Sequence, residues 1–344
     1  MTLILGLMLA SFCLTAAIIV PFINILYKIK FRRLTQSETV DAFGVLTPVF
    51  NQFHKHKAGT PLGGGLLVIV VVSLLFALIF PLVRFLGITI THIHPLMKEI
   101  NVIFTTFISF GLLGLYDDTK KLFGVKKSGF FGLRMRHKFT IQLLLAGLIA
   151  CLLYFDLGLK IINVPLLGVV SLGWWYIPFA MFCIVAFANA VNITDGLDGL
   201  AGGVLMVTLF ALWVLSSSIL DTPLSVFISL WLGALIAFLY FNVYPARIFM
   251  GDVGALSFGA TIAVIGLLLG KMIAVAVIGG IFVFEVGSSF IQLASKKLRH
   301  KKIIPVAPIH LWLQHVGWEE PKIVMRVWLA AIMLAIFGLW LATT

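Results

Sequence analysis

The sequence predicts an all-α polytopic membrane protein: ten transmembrane helices, both termini extracytoplasmic, and one small extracytoplasmic hairpin. Three observations carry this. Hydrophobic residues fill 61% of the 344 positions and charged residues 11%, with a mean hydropathy of +1.13, whereas a soluble domain carries roughly 25% charged residues. Apolar runs of membrane length recur from one end of the chain to the other. Lysine and arginine collect on alternate connections, as the positive-inside rule requires.

The runs lie at about 2–27, 62–83, 100–116, 139–155, 174–191, 202–220, 223–243, 255–270, 272–293 and 326–342. Several are short, so flanking residues complete the fit to the bilayer. The first has neither a basic flank nor a small-residue cleavage site before it, and reads as a span rather than a cleaved leader. With the N-terminus outside, the cytoplasmic connections hold six cations between Lys28 and Lys57, seven between Lys120 and Lys138, Arg247, and seven between Lys296 and Arg326. Only Arg84, Lys98, Lys160 and Lys271 then lie outside. Cys13, Cys151 and Cys183 fall inside apolar runs and are expected as packed, reduced thiols. No CxxC or His/Cys spacing suggests zinc. Without internal repeats or low-complexity linkers, residues 1–344 read as one domain. Its expected partners are the bilayer and a lipid-borne substrate, with no nucleic acid.

Taken in order, the first basic loop ends in Lys57-Ala-Gly-Thr-Pro-Leu-Gly-Gly-Gly65. Its glycines permit close backbone approach; they suit a plain helix entry or, with Lys57 alongside, an anion site. The third run ends in Asp117 and Asp118, adjacent carboxylates that a divalent cation or a proton would relieve. Gly132-Leu-Arg-Met-Arg-His-Lys138 follows and reads as a headgroup-binding patch. Residues 156–173 have the composition of an extracytoplasmic β-hairpin.

Asn189-Ala-Val-Asn-Ile-Thr-Asp-Gly-Leu-Asp-Gly-Leu-Ala-Gly-Gly203 organises the rest. It closes one span, opens the next, and sets Asn189, Asn192, Asp195 and Asp198 three residues apart. An N-cap needs one acceptor; this stretch supplies four polar side chains. Pro245 stops the seventh run, and Asp252, between Gly251 and Gly254, opens the eighth as an N-cap or as a ligand to metal or phosphate. Glu285 lies within the ninth run among glycines, as a proton relay or a packed helix contact. The last cytoplasmic segment carries Ala307-Pro-Ile-His310 and Gly317-Trp-Glu-Glu-Pro-Lys322. Asp117, Asp118, Asp195, Asp198 and Asp252 thus all sit at cytoplasmic helix ends. Carboxylates, asparagines and lysines gathered at one lipid–water boundary suit phosphate chemistry, with Mg²⁺ reconciling carboxylates to a diphosphate.

These motifs resemble the polyprenyl-phosphate N-acetylhexosamine-1-phosphate transferase superfamily, and within it the phospho-N-acetylmuramoyl-pentapeptide transferases, from about His54 to Trp328. The resemblance implies a cytoplasmic-face site in the inner membrane that moves phospho-MurNAc-pentapeptide from UDP-MurNAc-pentapeptide to undecaprenyl phosphate. It implies Mg²⁺ at Asp252, Asn192 and Asp117. It also implies a catalytic set of Asp117, Asp118, Asp252, Asn192 and His310, with Asp117 as the base. On the substrate side it implies Gly196, Leu197, Asp198 and Phe249 around uracil, with Asn189, Asp195, Asn242, Lys57, Thr60 and Lys121 contacting the remainder; a homodimer stays open. Departures from the family pattern are His310-Leu311-Trp312 where three histidines are usual, Leu62 for threonine, Ala255 for serine and Pro305 for arginine. A basic loop about three residues longer leaves the second family lysine between Lys126 and Lys127.

The altered histidine motif motivates a sister reading, the same chemistry with another UDP-sugar such as UDP-GlcNAc. A secondary transporter using Glu285 and broken-helix glycines fits less well, because the ionisable groups gather at one face rather than at the midplane. An inactive scaffold is disfavoured because all five aspartates are present.

Overall fold

The computed structural model describes residues 2–32, 57, 59–85, 90–123, 133 and 135–344 of the chain. Its helices are α1 (Thr2–Lys28), α2 (Gly64–Phe85), α3 (Leu96–Phe123), α4 (Met135–Cys151), α5 (Tyr176–Thr194), α6 (Leu200–Ser218) and α7 (Thr222–Asn242). After these come α8 (Gly251–Leu268), α9 (Met272–Ile278), α10 (Gly280–Arg299), α11 (Ile309–His315) and α12 (Glu320–Thr343). Between α4 and α5 lie β1 (Ile161–Val164) and β2 (Gly168–Ser171), antiparallel with Ile161 opposite Ser171 and Val164 opposite Gly168. The hairpin expected from composition is present.

Among the described residues nine helices are long and apolar enough to cross a membrane, and ten spans result if one bent pair counts as one. That pair corrects the ninth run. Instead of one straight helix over 272–293, α9 stops at Gly279 and α10 leaves at 84°. Seven residues of helix rise only about 10 Å, so α9 alone cannot cross. The third run also differs: α3 continues through Asp117, Asp118 and Lys121 to Phe123, placing these side chains on helical turns rather than in a loop. Helix α11, which carries His310, has no counterpart among the apolar runs.

Helix α8 is the centre of the bundle, buried along nearly its whole length. Helices α2, α3 and α5 pack on it, α1 and α2 pack on α7, and α12 packs on α6 and α9. Phe107, Phe227, Trp231 and Phe258 form a fully buried aromatic cluster where α3, α7 and α8 meet. Small residues let the backbones close in. A Cβ at Gly114 of α3 would lie 2.2 Å from the Asp252 carbonyl oxygen of α8. That contact brings the carboxylate-bearing end of α3 against the start of α8.

At the other end of α3, Glu99 is fully buried and neither carboxyl oxygen meets a donor among the described residues. The Asp221 carboxyl is within hydrogen-bonding reach of it, and Asp221 Oδ1 also caps α7 by accepting from Leu224 N at 3.2 Å. Two acids in that contact need at least one shared proton.

Candidate active site

Two buried polar clusters form at the helix ends that carry the sequence-predicted residues. The first joins α3, α4, α5 and α8. Asp117 Oδ1 accepts from Leu133 N at 2.7 Å, and its Oδ2 faces Lys138 Nζ at 3.0 Å and Lys121 Nζ at 3.1 Å. Asp252 Oδ2 pairs with Lys121 Nζ at 2.8 Å and also with Lys138 Nζ, while its Oδ1 accepts from Asn192 Nδ2 at 3.0 Å. Asp118 Oδ2 accepts from Val253 N at 3.2 Å and so caps the start of α8. Gly251 makes that cap feasible: its φ is +76°, and a Cβ there would lie 2.7 Å from Asp118 Oδ2. Three carboxylates thus share two ammonium groups. Asp117 and Asp118 are nearly inaccessible, and the lysines provide the open side.

The second cluster joins the residue-57 segment, the turn after α5, the segment after α7 and the start of α12. Lys57 Nζ pairs with Asp198 Oδ1 at 2.7 Å and Glu320 Oε1 at 2.5 Å. Asp198 N donates to Glu320 Oε1 at 2.6 Å, and Asp198 Oδ2 accepts from Ala246 N at 2.9 Å. Leu197 packs beneath with Leu200, Ile323 and Val324. Trp328 Nε1 donates to the Gly199 carbonyl at 3.2 Å.

His310 is held between the bent helix and this turn. Its Nδ1 lies 3.0 Å from Glu285 Oε2, and both residues are buried. Nδ1–H donating to the carboxylate leaves Nε2 as an acceptor. That nitrogen faces Gly196, where a Cβ would lie 2.4 Å from it. Glu285 is therefore a packed partner of His310, one of the two readings open from sequence.

The other sequence-derived residues are distributed unevenly. Asn189 pairs with Gln142, Nδ2 to Oε1 at 2.7 Å, forming a clasp between α4 and α5 outside both clusters. Asn242 Nδ2 donates to the Ile248 carbonyl at 3.0 Å, while its buried Oδ1 has no donor. Asp195 is the residue capping the end of α5, its N–H bonded to the Val191 carbonyl. Phe249 and Leu62 form a bridge alongside the entry to α2, and Thr60 precedes it. Lys126, Lys127 and Arg134 lie outside the described residues, as does the 54–56 segment.

One expectation is corrected. The glycine turn before α2 suits a plain helix entry or an anion site, and it is the anion site that its N–H groups do not support. Gly64 N and Gly65 N instead donate to the Phe249 and Met250 carbonyls at 2.9 and 3.0 Å. Those donors stitch α2 to the segment before α8, so they are spent on structure. Lys57 pairs with Asp198 and Glu320.

Sequence reading did not assign Lys138 and Glu320 to the site. Lys138 reads as part of a headgroup patch because Arg134, Arg136 and His137 stand beside it, yet it starts a span directly, as Asp117 and Asp118 end one. Glu320 carries no local signal of a role, because its pairing depends on a residue 263 positions away.

Magnesium suits the oxygen donors of the first cluster. No three carboxylates or imidazoles among the described residues converge in a ready-made metal cage. Mg²⁺ does not require one, since it keeps several waters and commonly takes one or two carboxylates plus phosphate oxygens. Asp252 is the more open carboxylate, its side chain 14% exposed, and Asp117 lies beside it on the same two lysines. Asn192 is turned so that its amide N–H₂ supports Asp252.

Comparison with known proteins agrees with this chemistry. The family model for glycosyl transferase family 4 matches residues 100–270, which include the whole first cluster. The phospho-N-acetylmuramoyl-pentapeptide-transferase of Clostridium perfringens (strain SM101 / Type A) is 36% identical over 313 residues, 90% of this chain and 88% of that protein. That of Aquifex aeolicus (strain VF5) is 37% identical over 350 residues, 96% of this chain and 90% of that protein. That of Thermodesulfovibrio yellowstonii (strain ATCC 51303 / DSM 11347 / YP87) is 36% identical over 307 residues, 83% and 81% of the two chains.

Proposed function

This chain belongs to the phospho-N-acetylmuramoyl-pentapeptide transferase family, and from that premise we propose that it transfers phospho-MurNAc-pentapeptide from UDP-MurNAc-pentapeptide to undecaprenyl phosphate, giving lipid I and UMP. It is a transferase and a multi-pass membrane protein. Residues 1–344 act as one domain of the cytoplasmic (inner) membrane with ten spans, counting α9 and α10 as one. Both termini and the β-hairpin lie outside, and the site faces the cytosol. The lysine and arginine asymmetry supports this orientation.

The observation that carries the reading is the convergence of Asp117, Asp118 and Asp252 on Lys121 and Lys138. Carboxylates alone would repel both the donor diphosphate and the lipid phosphate. Asp252 and Asp117 would hold Mg²⁺, which would supply the positive charge that offsets the diphosphate oxygens. Asn192 fixes the Asp252 carboxylate. Asp118, capping α8, fixes the helix that carries it. Asp117 accepts the proton of the lipid phosphate, and the freed oxygen attacks the sugar-side phosphorus directly. The bond to UMP breaks, and its electron pair leaves with the nucleotide. Lys121 and Lys138 are within reach to stabilise charge developing on the transferred group. Gly196, Leu197, Asp198 and Phe249 form the uridine side, and His310 faces it through Nε2.

Purified protein supplied with undecaprenyl phosphate and Mg²⁺ is offered UDP-MurNAc-pentapeptide or UDP-GlcNAc, and UMP and lipid product are measured. Product from the muramoyl donor is expected. Product from UDP-GlcNAc alone would move the chain to a sister specificity, a result to which Leu311 and Trp312 would then be the first explanation. Cysteine labelling from either side of sealed vesicles checks the orientation.

A further inference from the structure

We infer that Glu320 is a positioning residue for the donor nucleotide, holding Lys57 and Asp198 as a closed buried unit that presents the Gly196–Asp198 turn. The inference rests on reading that turn as the uridine side of the site. The three charged side chains are only 5–8% exposed. Among the described residues their hydrogen bonds run among themselves and to two backbone amides. Glu320 Oε1 takes Lys57 Nζ and Asp198 N, Asp198 Oδ1 takes Lys57 Nζ, and Asp198 Oδ2 takes Ala246 N.

Buried charges persist only when paired and hydrogen-bonded, and such a network specifies geometry more than it adds stability. Here it ties four separate segments to one point. The segment at Lys57 leads into α2, Asp198 lies in the turn, Ala246 follows α7, and Glu320 begins α12. The adjacent contacts are apolar or neutral: Leu197 and Leu200 against Ile323 and Val324, and Trp328 on Gly199. Glu320 bonds both the turn's backbone, at Asp198 N, and the cation that secures the turn's side chain. Each Asp198 oxygen takes one donor and Lys57 spans two carboxylates, so both side chains are held in fixed orientation. Their role is to set the shape of the Gly196–Asp198 backbone. A ligand reading only that backbone would be a planar, neutral group such as a nucleobase.

The test compares Glu320→Ala, Glu320→Gln, Lys57→Met and the Glu320→Gln/Lys57→Met double variant with the parent. Four readouts are taken: donor KM, acceptor KM, kcat, and UMP affinity measured without turnover. Glu320→Ala is expected to raise donor KM and weaken UMP roughly tenfold or more, with kcat and acceptor KM changed by less than about threefold. Glu320→Gln, which keeps an acceptor for Asp198 N, recovers part of the loss and serves if the alanine variant does not fold. The double variant is expected to be no worse than the worse single one, because the groups act as a unit. Parent-like donor KM and UMP affinity in both Glu320 variants would overturn the inference. So would Lys57→Met falling far below Glu320→Ala with additive effects, since Lys57 would then touch the donor itself. A parent protein that binds no uridine nucleotide would overturn the transferase reading along with it, whereas an active parent with indifferent Glu320 variants removes the positioning role alone.

Discussion

Replacing Gly196 by alanine adds one carbon atom, and its consequence can be worked through. Gly196 is not among the residues with positive φ, so alanine fits the backbone and the cost is steric. The new Cβ would lie 2.4 Å from His310 Nε2, 3.1 Å from Cε1 and 3.3 Å from Cδ2. Ordinary contact begins near 3.4 Å, so something must move by about 1 Å. The imidazole cannot simply retreat, because Nδ1 already lies 3.0 Å from Glu285 and the ring is buried. The turn cannot retreat without moving Leu197 and Asp198, which are packed or bonded on all sides. Either way the His310–turn geometry is lost by about 1 Å. A displacement of that size at a reacting centre costs on the order of 10²-fold in rate, or about 2.7 kcal/mol of barrier. Overpacking costs roughly 1–3 kcal/mol of stability. The assay is kcat/KM for UMP release in detergent, with a thermal midpoint as the folding check. Gly287→Ala is the control, because nothing lies within 4 Å of its Cβ. In a His310→Ala background the Gly196 substitution should add nothing. If Gly196→Ala alone kept kcat/KM within about twofold of the parent, the claim that His310 Nε2 is held tightly against this turn would be refuted.

Asp252→Asn should lower kcat by about 10³-fold, the scale of losing a charged group matched to the transition state, while leaving the thermal midpoint near that of the parent; chelation of Mg²⁺ should abolish turnover reversibly. Gly203→Val should destabilise the docking of α12 on α6, because even a Cβ there would fall 1.9 Å from Trp328 Cε2; proteolysis and thermal melting read it. Burial holds the Asp221 carboxyl above its ordinary 3.8, partly offset by the Leu224 N–H, the Glu99 carboxyl and nearby His94 and His92. The sign follows from linkage: stability from this group is fully present below the ordinary value and is lost as pH rises through the raised one. Asp221→Asn, which preserves the cap, should therefore flatten the fall in thermal midpoint above about pH 4. An unchanged slope would mean that the acid is not strained by burial.

The sequence by itself determined nine of the membrane-length segments, the hairpin and the grouping of acids at helix ends. These follow from local quantities, since transfer free energy and loop charge are summed over neighbouring residues. Asp117, Asp118 and Asp252 were legible because a carboxylate at the end of an apolar run is costly wherever the rest of the chain goes. Tertiary structure decided the partners. Lys138 reaches Asp252 across 114 residues and Glu320 reaches Lys57 across 263. Nothing local marks either pairing. The same limit explains the glycine turn before α2, whose donors are consumed by Phe249 and Met250, and Asn189, which is turned toward Gln142. It also explains the break at Gly279, where hydropathy runs on without interruption but Phe187 and Leu334 crowd the two glycines. Hydropathy is additive along the chain, whereas the direction in which a polar side chain is satisfied depends on which helices the packed core brings beside it.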